Sequence, residues 1–221
     1  VNGMLYPGSS DQPDSGLAIS DATISVWEQA AATTTISSPC PYKITGTATI
    51  GPAKIMCDME ISGDADITLE GMVWVVGNID VANTATIHID PALGNKSLAI
   101  IADNPSNRTT SSKIILQNST TYYGSGAEKS YVLLISQNTS AQNGGSEVAI
   151  NAKNTVTGDL LVYAGHGRIT LQNSIELREV SAHTVELKNS AKVVYTSGLV
   201  NLLFESGPAG GYVIDSWKEV Q

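Results

Sequence analysis

The feature that most constrains this chain is a repeated phrase in which alternating apolar residues run into Asn or Gly and then into a second alternating run. It stands as Met59-Glu-Ile-Ser-Gly-Asp-Ala-Asp-Ile-Thr-Leu69, Ile79-Asp-Val-Ala-Asn-Thr-Ala-Thr-Ile-His-Ile89, Ile169-Thr-Leu-Gln-Asn-Ser-Ile-Glu-Leu177 and Val185-Glu-Leu-Lys-Asn-Ser-Ala-Lys-Val-Val-Tyr195. A period of two buries one face of a strand, and Asn or Gly accepts the left-handed backbone that a sharp corner between strands requires. Each phrase therefore reads as two short strands and a corner. Repetition at one coil length is the mark of a solenoid, in which no repeat buries its face alone and stacking supplies the core.

Equivalent strands set the coil length. Segments 55–57, 59–61 and 67–69 recur as 73–75, 79–81 and 87–89, offsets of 18, 20 and 20 residues. Later coils follow with insertions: 98–102 with 113–116, 131–136 with 148–150, 160–164 with 169–171, and 179–182 with 185–187 and 192–195. The expected fold is all-β, a single-stranded parallel β-helix of about three strands per coil. Its hand should be right, as parallel crossovers overwhelmingly are.

The insertions are polar. They predict corner loops at 104–112, 122–130 and 137–146, with Asn104, Asn107, Arg108, Tyr122, Tyr123, Asn138 and Asn143 as candidate binding residues. Removal of 137–145 is expected to leave the fold stable.

The chain departs from the pattern at both ends, which divides it into a wrap and helix at 1–35, a β-helix at 36–200 and a C-terminal cap at 201–221. Ser20 opens a run in which Ile24, Trp27 and Ala31 share one helical face, the expected capping α-helix over an open end of the stack. Phe204 and Trp217 are expected to fold back over the other end.

Composition limits the functions open to such a stack. Charged residues are only 15% of the 221, so Ser, Thr and Asn must cover the surface; aromatics are 5%, leaving a core of stacked Ile, Leu and Val. A net charge of −9 with no basic run argues against nucleic acid. The chain holds no apolar run long enough to span a bilayer, so membrane contact is expected only through a segment outside it.

Cys40 and Cys57, the only cysteines, lie about one coil apart. Stacked strands sit ~4.8 Å from one another, close to the Cα separation a disulfide accepts. A disulfide pinning the first coil is the favoured reading, two buried thiols the other; a disulfide would place the protein in an oxidising compartment. Sequons at Asn95, Asn107, Asn118 and Asn138 are no more than a chain rich in Asn, Ser and Thr produces by chance.

Catalytic motifs are lacking: the sequence has no nucleophile elbow, phosphate-binding loop, dinucleotide fingerprint, His-Glu-x-x-His or Cys-x-x-Cys. His166 and His183 are too few for a metal site and read as surface residues. Asp58, Glu60, Asp64, Asp66 and Asp80 fall in consecutive strands, and outward stacking of such acids would suit Ca²⁺ or a glycosidic bond. Acids at outward positions are also what any solvated strand shows, and no cationic cluster accompanies them to bind a uronate, so Ca²⁺ stays a secondary expectation and no other cofactor is expected. Thr47-Ala-Thr49 and Thr84-Ala-Thr86 read as isolated pairs, not as a threonine face for ice.

Four phrases carry a resemblance: the Asn-x-Ala-x-Ile corners, Gly71-Met-Val-Trp-Val-Val-Gly-Asn-Ile79, Ala99-Ile-Ile-Ala-Asp103 and Ser206-Gly-Pro-Ala-Gly-Gly-Tyr-Val-Ile-Asp-Ser-Trp217. From Leu17 onward the chain resembles surface β-helix domains that follow a pilin-like, PilX-type membrane helix in candidate-phylum bacteria. It resembles the polymer-forming bactofilins more distantly, and its cysteine pair, helix and long corner loops depart from them. The resemblance implies an extracellular or cell-surface structural module, pilus-associated and non-enzymatic. Its partners would be other surface or pilus proteins, glycans or further copies of the chain, with a carbohydrate-active β-helix enzyme and a filament-forming scaffold as the competing classes.

Overall fold

A computed structural model describes residues 17–173, 175–193 and 203–204. Short parallel strands dominate it, joined by tight corners and accompanied by one α-helix, Asp21–Ala31. The strands follow the alternation. Ala53–Ile55, Met59–Ile61, Val73–Val75 and Ile79–Val81 each bury their first and third residues and leave the middle one partly exposed. The expected strand at 55–57 is displaced to Ala53–Ile55, that at 148–150 to Ile150–Ala152, and the two expected at 160–164 and 169–171 merge into one bent strand, Leu160–Leu171.

Among the described residues the strands form a thirteen-stranded and a five-stranded sheet, besides a two-stranded pair. In the first, Thr35–Ile36, Ala53–Ile55, Val73–Val75, Lys96–Ala102, Val132–Ser136 and Leu160–Leu171 follow one another. The sheet then curls back through Leu160–Leu171 to Ile150–Ala152, Ile114–Leu116, Ile79–Val81, Met59–Ile61 and Tyr42–Ile44. In-register pairing stacks like on like: Met59 lies beside Ile79 and Ile114 beside both Ile79 and Ile150. The five-stranded sheet joins Thr47–Ile50, Asp66–Leu69, Thr86–Ile89, Ser119–Tyr123 and Thr155–Gly158. Alternation identified two of these five, at 67–69 and 87–89. The other three are rich in Thr and Ser, whose hydroxyls blur the apolar/polar contrast.

That sheet corrects the reading of threonine. Thr47, Asp66, Thr86, Thr121 and Thr157 lie in one register column on its outward side, with Thr49, Thr68, His88 and Tyr123 in the next. Residues distant in sequence are brought together only by strand pairing.

Corners are marked by left-handed Asn. Asn83, Asn118, Asn154, Asn173 and Asn189 have φ of 65°, 65°, 65°, 61° and 51°. Each amide reaches the one before it: Nδ2 of Asn118, Asn154, Asn173 and Asn189 donates to the preceding Oδ1 at 3.1, 3.5, 2.9 and 2.9 Å.

The helix starts where expected, with Ser20 Oγ accepting from Thr23 N at 3.1 Å, and it buries Ile24, Trp27 and Ala31. Its place corrects the capping role given to Ile24 and Trp27. Near its start, Tyr163 Oη donates to Ile19 O at 2.6 Å and His166 Nε2 lies 2.9 Å from Asp21 Oδ1; farther on it contacts Ala53–Ile55 and Val73–Val75. It thus lies across the sheet, not over an end. Eleven residues at ~1.5 Å each span about 16 Å, near the ~19 Å of the four strand spacings between those anchors. The physical reason is visible in the strands beneath: Val132–Ser136 and the last six residues of Lys96–Ala102 are buried at every position, so both faces of the sheet need cover.

Cys40 and Cys57 are joined as a disulfide with Cα atoms 5.9 Å apart. Of the expected C-terminal cap, Leu203–Phe204 pairs in parallel with Lys96 and Ser97. Trp217 lies outside the described residues.

Candidate binding cleft

The polar residues singled out in the sequence are mostly occupied in holding the scaffold. Asp58 accepts from Asn78 N at 2.7 Å, Glu60 pairs with Lys43 at 2.7 Å, and Asp64 accepts from Thr84 Oγ1. Asp66 lies 3.3 Å from His88, and Asp80 accepts from Gln117 at 3.0 and 3.1 Å. Among the described residues no three His, Cys, Asp or Glu side chains converge as metal donors. The five acids are spread over separate strands and corners, each with its own partner.

The candidate loop residues divide in the same way. Tyr122 is a correction: it is no loop residue but sits in Ser119–Tyr123, 0% exposed, and burial pushes its phenol pKa above the usual range. Its neighbour Tyr123 points outward, 51% exposed. Asn138 is 0% exposed and donates to Ser111 O at 2.7 Å and Thr109 O at 3.2 Å, tying one corner loop to another. Asn104 accepts from Ser106 N at 3.2 Å and Asn107 bonds Thr110 at 2.8 Å, both turns within one loop. Asn143 is exposed and donates to Thr139 O at 2.9 Å.

Arg108 belongs to a charged cluster under the helix. It grips Asp103 through Nε and Nη2, both at 2.7 Å, and Trp74 Nε1 donates to the Asp103 carbonyl at 2.9 Å. Lys54 lies over the Trp74 ring, 3.6 Å from its centroid. Glu28, 7% exposed on the buried side of the helix, meets Asp103, whose side chain is 0% exposed. Burial first, and then the Asp103 charge and its hydrogen bond, push the Glu28 carboxyl up to about 8. The hydrogen bond to Asp103 holds Arg108 above its usual value. Two acids and a base converge here, the acids buried against the helix and Arg108 partly exposed beside them. The sequence carried a signal for this cluster: Glu28 shares the apolar helical face of Ile24 and Ala31, and Asp103 directly follows the apolar run 98–102.

Open space lies elsewhere. A cleft of about 310 Å³ is lined by Ala127, Glu128, Lys129, Ser130, Tyr131, Asp159 and Arg178. One wall is the 124–130 segment after Ser119–Tyr123; Asp159 and Arg178 each precede a sheet strand. The expected 122–130 loop is thus half right, forming this wall with residues other than Tyr122 and Tyr123. Arg178 Nη2 lies 3.4 Å from Asp159 Oδ1, with its guanidinium 5.9 Å from the Tyr131 ring centroid.

The wall is held rigidly by buried serines. Ser130 Oγ donates to Lys96 O at 2.7 Å and accepts from Ser125 N at 2.9 Å; Ser97 Oγ accepts from Tyr131 N at 3.0 Å and donates to Lys129 O at 3.3 Å. Ser125 Oγ donates to Gly94 O. This network holds Lys129 at φ 64°, a left-handed conformation uncommon outside Gly, Asn and Asp. Lys129 and Glu128 are thereby fixed as exposed groups on the rim.

Comparison with protein-family models, curated proteins and solved structures finds no match for the chain. What stands is the class: among the described residues, a mostly parallel β protein with a curled sheet, one α-helix and one disulfide.

Proposed function

We propose that the curled sheet is a single-stranded, right-handed β-helix of about three strands per coil, and that the protein is a non-enzymatic structural or adhesive module outside the bacterial cell. It would form a rigid stalk or tip of a pilus-associated or other surface protein and present its corners to glycans or surface proteins. The observation that carries the reading is the register of the stack, in which residues one coil apart, such as Thr68 and His88 at 20 positions, lie side by side in long parallel ladders. A rod built this way cannot shorten without breaking every ladder, which suits display at a distance. The Cys40–Cys57 bridge fits an oxidising exterior.

A second reading, a carbohydrate-active β-helix enzyme, draws on the cleft, where Glu128 and Asp159 share a groove with Arg178. A screen of polysaccharides for binding and for cleavage, with and without Ca²⁺, separates the two. Binding without new reducing ends supports the module. Cleavage that disappears in Glu128→Gln and Asp159→Asn overturns it.

A further inference from the structure

The cleft's lining points to the chemical class of its ligand. Glu128 and Asp159 are acceptors, and Lys129 and Arg178 are donors. The four formal charges cancel. A phosphate or a uronate would meet two carboxylates, and a cation would meet an ammonium and a guanidinium. A polyhydroxyl ring suits all four groups, because each of its hydroxyls donates and accepts in one place. The space, about 310 Å³, sits at the lower end of the ~300–1,000 Å³ common for small-ligand sites, room for a sugar unit or two.

The walls are built before any ligand arrives. The serine bonds to Lys96 O, Ser125 N, Tyr131 N and Lys129 O keep the rim in one conformation. A left-handed Lys costs on the order of 1–3 kcal/mol and persists only where its surroundings over-determine it, a situation that clusters at binding sites. Tyr131 beneath Arg178 and Asp159 beside it set the guanidinium plane. Such preorganisation spares a weakly bound sugar the cost of ordering a loop.

We propose that the cleft between the 127–131 segment and Asp159 and Arg178 binds a neutral saccharide unit of a surface or matrix glycan. The proposal rests on the adhesive reading and names the ligand of its site. The test titrates the intact chain with neutral disaccharides (maltose, cellobiose, lactose, mannobiose and chitobiose), a glucuronate disaccharide and glucose 6-phosphate, followed by NMR shifts of backbone amides. A neutral sugar should bind and move the amides of 127–131. Arg178→Gln should weaken it about tenfold, the loss expected for one charge-assisted hydrogen bond. Lys129→Gly is the control for folding, because glycine accepts φ 64° freely. That variant should fold at least as well as the parent and bind several-fold more weakly.

Preference for the glucuronate or the phosphate sugar, unchanged binding in both variants, or no binding by any neutral sugar at millimolar concentration each overturns the proposal. A neutral sugar that binds and is then cleaved overturns the non-enzymatic reading and leaves the ligand class standing. The two failures are therefore distinct.

Discussion

Asn118 reaches back across 35 residues of sequence to Asn83, donating from Nδ2 to Oδ1 at 3.1 Å. Both are left-handed, each at a corner between two short strands. Asn suits the position twice over, since it tolerates positive φ and its amide can both donate and accept along a column.

Replacing Asn118 by Ala should therefore lose both properties and destabilise by about 2 kcal/mol. Asn118→Gly keeps the backbone freedom and loses only the ladder, so its cost should be smaller by about 1 kcal/mol. Denaturant midpoints of the two variants check the order; equal losses would mean that the conformation is not what selects Asn there.

Glu28 predicts a pH dependence. Burial pushes its carboxyl up to about 8 in the folded chain against an ordinary value of 4.5, so between those values the folded state holds a proton that the unfolded state has released. The stabilisation is complete below about 4.5, is lost as pH rises, and the slope ends above about 8. Asp103, Arg108 and Lys54 are the charged groups facing it. Across that window the loss should be on the order of 5 kcal/mol. Glu28→Gln should flatten the slope and exceed the parent in stability at pH 8, as thermal melts from pH 5 to 9 would show.

The Cys40–Cys57 bridge closes 17 residues. Reduction, or Cys40→Ser, should cost roughly 3 kcal/mol through the freedom returned to the unfolded chain. Denaturant titration with and without reductant measures it. An unchanged midpoint would show that the segment between Cys40 and Cys57 is held by its strands alone.

Deletion of 137–145 should destabilise the protein, contrary to what the polarity of that segment suggests. Asn138 carries two of its contacts to 109 and 111, and Ser140 Oγ accepts from Glu147 N at 3.2 Å. Asn138→Ala alone should cost about 2 kcal/mol, because it leaves the buried Ser111 carbonyl without this donor. Circular dichroism melts of both variants are the check.

The sequence by itself determined the short parallel strands and the corners between them. Alternation at Met59–Ile61 and Ile79–Val81, the Asn corners, the Ser20 helix start and the cysteine spacing were all legible, because each follows from neighbours within a few residues or from one regular offset. Only the tertiary structure decided where the helix lies, that Tyr122 is core, that threonines from four strands share a column, and that Glu128, Lys129, Asp159 and Arg178 surround one cleft. These depend on which strands become neighbours after long insertions, and an insertion leaves no trace of its path in the pattern of the residues it separates. The uniformly apolar runs at 98–102 and 132–135 did hold a signal that a second layer covers them. What that layer is, and that Glu28 would be buried against Asp103 beneath it, follows only from the packed chain.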